Sequence, residues 1–299
     1  MSPSFRALLI GVPAYRDDAF PPMPFIDSDL DELAEALTAC GYDVEQHDRS
    51  ATDGESIQDA LETFITGAGR GETLLVYLSG HGVHHEGMDY LIPESARPNS
   101  LRFPAENCVP ISCDAYIEQS AAATVIVVVD ACREGITLRV KGQAFAEGWG
   151  EWQRDKTVAQ QVAYLYACSP GETAGFSRSG FSIMSRALCQ ALLDDSEPGT
   201  LAQLLALTKE KLRVLIAEHN VRPHHPRVRT DIDQNEIVVV PRLGHTADHK
   251  WITTARDSKI WRTVADQPGA DELRDFTVDL VGRLAASASR LPADAWLDH

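Results

Sequence analysis

TVIVVVDACRE (residues 124–134) decides the fold. Its first eight residues, TVIVVVDA, are dominated by β-branched side chains, which suit a pleated strand. The apolar run is continuous and not alternating, which marks a strand buried on both faces, as in a parallel sheet covered by helices. Three other stretches read the same way: RALLIGV (6–12), TLLVYLSG (73–80) and VAYLYACS (162–169). Helical spacing lies between them. Leu30, Leu33, Ala34 and Leu37 share one face of a helix over 27–37, with Asp27, Ser28 and Asp29 as N-cap types and Gly41 at its end. Ile57, Leu61, Phe64 and Ile65 share a face over 55–68. Further helices are predicted at 111–119, 181–193 and 200–218, and further strands at DVEQHDR (43–49), MDYLIP (88–93) and EIVVVPR (236–242). Strands alternating with helices predict an α/β fold with a mostly parallel central sheet flanked by helices over 1–242. Residues 133–160 are charged, contain glycine and are weakly periodic, which predicts a long exposed loop. Residues 243–299 break the pattern and read as a small helical C-terminal extension. Their Trp251, Ile252, Ile260 and Trp261 are expected to pack against the domain over 1–242, with a partner-docking surface as the other reading.

Open α/β sheets carry their sites outside the carboxyl ends of the strands. One strand here runs into Ser79-Gly80-His81-Gly82 and another into Asp130-Ala131-Cys132-Arg133. A single Cys after a strand is usually a small buried hydrophobe, and Cys40, Cys168 and Cys189 fit that description. A single His in a glycine-rich turn is often only a loop residue. Together at paired strand ends, His81 and Cys132 are the ingredients of a nucleophile with its acid–base partner. The glycines around His81 would let a substrate backbone come close.

The order of these motifs resembles the caspase, metacaspase and prokaryotic orthocaspase superfamily. RALLIGV, PFIDSDLDELAEAL, LLVYLSGHG, DYLIP, VIVVVDACRE and YLYACSPGETA carry the resemblance, over roughly residues 5–242. Caspases place their His about 50 residues before the Cys of Q-A-C-[RQG]-G. LSGHG paired with DAC is closer to metacaspases and orthocaspases than to animal caspases. The resemblance implies the caspase fold and peptide-bond cleavage by a Cys132–His81 dyad. The oxyanion would be held by the backbone N–H groups of Gly82 and Cys132. It also implies that the loop after the nucleophile is cut during activation; Arg133, Arg139, Lys141, Arg154 and Lys156 lie in 133–160. Prokaryotic relatives often act in defence or programmed death beside sensor modules.

Two departures bear on substrate choice. Asp130 stands two residues before the Cys, where aspartate-cleaving caspases carry Gln, and Met23 stands where they supply an Arg. A cation is lost and an anion gained, so the resemblance implies cleavage after Arg or Lys. Asp29 falls where metacaspases supply a second pocket carboxylate, although it could equally be a helix N-cap, and Ser79 would line the wall. Glu134 replaces a signature Gly, at a position expected to vary.

Composition narrows the remaining classes. A formal charge of −17, with 14 acidic residues against three Arg and no Lys over 1–64, is opposite to a nucleic-acid binder. No apolar stretch reaches membrane-spanning length, no signal peptide opens the chain, and the six Cys form no C-x-x-C pair. A reduced cytoplasmic protein is expected. His81, His84 and His85 crowd one loop, and His224 and His225 another, but no carboxylate or Cys sits beside them at a recognisable ligand spacing, so no metal is expected. No cofactor is implied; calcium stays open, with Asp17, Asp18 and Asp155 as acidic candidates. The partners expected are a protein or peptide substrate and a sensor or regulatory protein. Two rival readings stand beside the peptidase: a catalytically silent caspase-like scaffold acting by protein binding, and a cysteine hydrolase of non-peptide amides.

Overall fold

The computed structural model describes residues 4–98, 100, 104–131, 160–169, 174–177, 180–196, 198–230 and 232–240. The chain divides into two units, Met1–Arg242 and Leu243–His299. The described residues belong to the first. The expected extension over 243–299, Cys132, and the expected loop as far as residue 159 lie outside them.

Along the chain, β1 (Phe5–Gly11) leads to α1 (Phe25–Ala39), β2 (Asp43–Gln46), α2 (Gly54–Thr66) and β3 (Thr73–Gly80). A small antiparallel sheet follows, made of β4 (Gly82–His85), β5 (Met88–Leu91) and β6 (Val109–Pro110). Next come α3 (Asp114–Ile117), β7 (Thr124–Ala131), β8 (Gln161–Tyr166), a short ribbon of β9 (Phe176–Ser177) and β10 (Phe181–Ser182), α4 (Ile183–Leu192), α5 (Leu201–His219) and β11 (Arg227–Thr230).

The central sheet has the order β11-β8-β7-β3-β1-β2. All its pairings are parallel except that of β11 with β8. Every residue of β3 and β7 is buried, as their unbroken apolar runs require. Alternation along the strands divides the core into two layers. Leu9, Tyr77, Ile126 and Val128 face α1, α4 and α5. Leu8, Leu78, Val127 and Val129 face α2 and α3. Gly41, at a φ of 90°, turns the chain out of α1, and Asp53 caps α2 by accepting from the N–H groups of Glu55 and Ser56.

Two expectations fail. Of the segment predicted as a strand at 236–242, the described residues, 236–240, contribute only an isolated bridge, Val238 to Thr200. Its alternation is real, with Ile237 and Val239 buried and Val238 exposed, but it packs on the helical layer beside α5. The edge strand is instead RVRT (227–230), whose half-exposed polar residues carry no apolar signal. Helix α1 begins at Phe25 after Pro24 with no side-chain cap, so Asp29 lies inside the helix and the N-cap reading of it is wrong.

Candidate active site

The site is built around two buried carboxylates. A Cβ on Gly11 would lie 2.4 Å from Cγ2 of Ile26 and 2.8 Å from Cδ1 of Leu30, so glycine alone lets α1 press this closely on the end of β1. That approach carries Asp29, 2% exposed, into the interior. Asp130 is 5% exposed near the end of β7 and alternates onto the same face as Val128. The Ser182 N–H, where β10 runs into α4, donates to Oδ2 of Asp29 at 2.7 Å, and the Ser182 hydroxyl donates to Oδ2 of Asp130. The Tyr77 hydroxyl donates to the same Asp130 oxygen at 2.7 Å. Ser79, 3% exposed, is the register partner of Asp130 on β3.

Burial pushes the Asp29 carboxyl up to about 7; the nearby Asp130 and Glu32 add to the rise, and the Ser182 N–H opposes it. Burial also raises Asp130, against the hydrogen bonds from Ser182 and Tyr77. Among the described residues neither carboxylate has an ion pair; Arg186, the nearest cation acting on Asp29, pairs with Glu32 at 3.0 Å. Each carboxylate offers about four lone-pair sites, so the bonds from Ser182, Tyr77 and the Ser185 N–H leave lone pairs over that a donor-rich cation would match.

The register of β3 with β7 sets Gly80 opposite Ala131. The next residues are His81 and Cys132, and Cys132 is outside the described residues. The His81 N–H donates to the Tyr15 hydroxyl at 2.8 Å, and its ring packs 4.9 Å from that of Tyr15. Nε2 lies 2.9 Å from the Pro21 carbonyl. A carbonyl only accepts, so Nε2 carries the hydrogen and Nδ1 keeps the lone pair. Burial holds the imidazole below its ordinary range, with the Pro21 carbonyl acting the other way. The Ile92 N–H donates to the His81 carbonyl. In an antiparallel ladder the next pair, Gly82 with Leu91, is then non-hydrogen-bonded, and the Gly82 N–H points away from β5.

The other cysteines are poor nucleophiles. Cys40, Cys108, Cys113, Cys168 and Cys189 are free and buried. Burial raises Cys40 to about 11 and Cys108, Cys113 and Cys189 to about 12. Among the described residues no group of three or more His, Cys, Asp or Glu is arranged to hold a metal ion. His84 is taken up by Asp89, with Nδ1 2.8 Å from Oδ1, across β4 and β5. Asp17 accepts the Ala19 N–H at 3.0 Å in its own turn, and Asp155 is outside the described residues. No described helix is long and apolar enough to cross a membrane.

Sequence reasoning missed Ser182 and Tyr77. Tyr77 lies in LLVYLSGHG but reads there as strand core, and Ser182, outside every motif, is one of several serines around a short ribbon.

A five-stranded parallel sheet with an antiparallel edge, helices on both faces and a site at the carboxyl ends of its central strands is a caspase-like α/β architecture. The family model described as the caspase domain matches residues 4–234, and the chain belongs to that family. A solved structure of a Geobacter sulfurreducens protein is similar with a TM-score of 0.54 at 12% identity, over 80% of this chain and 98% of its own. Caspase-1 from Spodoptera frugiperda is 14% identical over 81% of this chain and 92% of its own, with a TM-score of 0.49. At such identities the Geobacter likeness bears on the fold alone. No curated protein matches the sequence.

Proposed function

We propose that the protein is a cysteine endopeptidase that cleaves after Arg or Lys, with Cys132 as nucleophile and His81 as acid–base partner. The observation that carries this is the β3–β7 register, in which Gly80 and Ala131 are partners and His81 and Cys132 follow them. The Cys132 thiol gives its proton to Nδ1 of His81, and the resulting thiolate attacks the scissile carbonyl, forming the C–S bond and an oxyanion. The N–H groups of Gly82 and Cys132 hold that oxyanion, a role that fits the outward direction of the Gly82 N–H. His81 delivers its Nδ1 proton to the leaving amine as the C–N bond breaks, then accepts a proton from the water that hydrolyses the thioester. No cofactor is needed for these steps.

The substrate Arg or Lys enters beside Asp29, Asp130 and Ser79. The two buried carboxylates attract a cation and repel a substrate Asp, so attraction and repulsion both select. We take the protein to act in the cytoplasm under a sensor or regulatory partner, with 133–160 as a processing segment, in a defence or programmed-death setting like those of its prokaryotic relatives.

A peptide-library cleavage profile of the purified full chain, run beside Cys132→Ala, tests the reading. Cleavage confined to bonds after Arg and Lys, absent in Cys132→Ala, is expected. Equal turnover by Cys132→Ala would end it, and cleavage after Asp alone would end the pocket assignment. A protein that binds peptides without cutting them would fit the silent scaffold.

A further inference from the structure

We propose that His224 is a specificity-determining residue of this pocket: a buried acceptor that lets it take arginine in preference to lysine, an inference that rests on reading Asp29 and Asp130 as the seat of a basic side chain. His224 lies between α5 and β11 and is 3% exposed. β11 starts opposite Tyr166 at the carboxyl end of β8, and β8 pairs with β7, so this segment arrives at the same end of the sheet as Asp130. Arg227 Nε donates to the Ser169 hydroxyl at 2.9 Å and holds it there.

The imidazole is fixed from one side. A Cβ on Gly175 would lie 2.8 Å from Cε1 and 3.1 Å from Nδ1 of His224, so the ring is packed against the Gly175 backbone. The Gly175 carbonyl accepts the Ile183 N–H at 3.1 Å, and the residue before Ile183 is Ser182, which bonds both carboxylates. Only a few backbone atoms therefore separate the imidazole from the carboxylate pair. A positive charge on His224 would favour the ionised form of Asp130.

The ring's polar atoms supply the second observation. Nδ1 lies 3.3 Å from the Arg222 carbonyl, which can only accept, so Nδ1 carries the hydrogen. Nε2 then holds a lone pair, is fully enclosed, and has no hydrogen-bond partner among the described residues. A buried polar atom without a partner is costly, and in a native structure it calls for an explanation. An enclosed acceptor without a partner, linked through Gly175 and Ser182 to the two carboxylates, is the complement of a cation with many N–H groups. A lysine ammonium has three donors, which two carboxylates can absorb; a guanidinium has five in a fixed plane. His224 Nε2 accepts one that the carboxylates leave over.

The test compares matched Arg and Lys peptides on full-length wild type, His224→Leu and His224→Gln, with thermal melts to confirm folding. Wild type should prefer Arg. His224→Leu should lower the Arg:Lys ratio of kcat/KM about tenfold, the order expected for one lost hydrogen bond to a charged group. His224→Gln, which returns an acceptor, should restore part of it. If the Leu variant does not fold, His224→Met, apolar but flexible, takes its place. An unchanged ratio in a folded apolar variant overturns the role of His224 and leaves the carboxylate pocket standing. A wild type that cleaves after neither Arg nor Lys overturns both, and the wild-type profile alone distinguishes that case.

Discussion

Asp29 and Asp130 are joined through one residue: the Ser182 N–H donates to Asp29 and the Ser182 hydroxyl donates to Asp130. The link ties α1, β7 and the β10–α4 junction together at the carboxyl end of the sheet. It also brings two groups that repel when ionised into a buried space. Hydrogen bonds from neutral donors make the arrangement tolerable, and a cation would make it favourable.

Asp130 should matter more to Arg cleavage than to folding. Asp130→Ala removes the carboxylate that the Tyr77 and Ser182 hydroxyls bond, and leaves an entering guanidinium with one buried anion fewer. Loss of one partner of a buried ion pair costs about 3–5 kcal/mol, or roughly two to four orders of magnitude in kcat/KM. Steady-state kinetics on an Arg peptide, beside a thermal melt, checks this. A variant that melts normally and keeps wild-type kcat/KM would remove Asp130 from the pocket.

The acid limb of activity should belong to Asp29. Its carboxyl is pushed up to about 7, whereas the unfolded chain has it near 3.8. Between these values the folded protein holds a proton that the unfolded chain has released, so stability falls as pH rises from about 4 to 7, by roughly 4 kcal/mol in all. Substrate guanidinium prefers the ionised form, so kcat/KM for an Arg peptide should rise with pH up to about 7. Asn cannot ionise, and Asp29→Asn should flatten the stability slope. On its lower plateau the activity limb should move to lower pH, where His81, held below its ordinary range by burial, takes over. Denaturant melts and pH–rate profiles of the two proteins decide it; identical limbs would assign the ionisation elsewhere.

Strands β3 and β7 were legible to the residue because their apolar runs begin and end with chemically distinct neighbours. The same runs pointed to Ser79, His81 and Asp130 at one sheet end; Cys132 follows Ala131 in the sequence and is outside the described residues. Asp29 was ambiguous, since a carboxylate near a helix start serves equally as cap or ligand; the start of α1 at Phe25 removes the cap reading, and the depth of α1 against Gly11, which buries the carboxyl, is a packing property with no local signal. The ribbon β9–β10 and the edge strand β11 were missed for a related reason. Two-residue strands and a half-exposed RVRT have no hydrophobic period, and tertiary pairing alone defines them.

Gly11 should be the most sensitive small residue near the site. A methyl group there meets the Ile26 and Leu30 side chains at distances that atoms do not share, so those side chains, or α1 with them, must shift away from β1. Overpacking of this kind costs about 1–3 kcal/mol. Asp29 rides on the same helix, so Gly11→Ala should lower both the melting temperature and the preference for Arg peptides. Unchanged stability would show that α1 yields without strain.

Cys132 and His81 should behave as one unit. Each single Ala variant should remove peptide cleavage almost entirely, and the double variant should be no worse than either, because each residue works only through the other. Multiplying losses in the double variant would indicate independent roles and argue against a dyad.

Tyr15 should be a positioning residue for His81. Its hydroxyl accepts the His81 backbone N–H at 2.8 Å and its ring lies 4.9 Å from the imidazole, while Pro21 takes the Nε2 hydrogen. Tyr15→Phe keeps the ring contact and deletes the acceptor. The His81 backbone then loses the bond that fixes where the imidazole starts, and a misplaced acid–base group slows chemistry more than binding. The expected result is a fall in kcat of about fivefold with KM nearly unchanged, set by one lost hydrogen bond of about 1 kcal/mol. A merely structural role would lower the melting temperature and leave kcat per folded molecule as it was. Parallel shifts in KM and kcat would place Tyr15 in substrate binding instead.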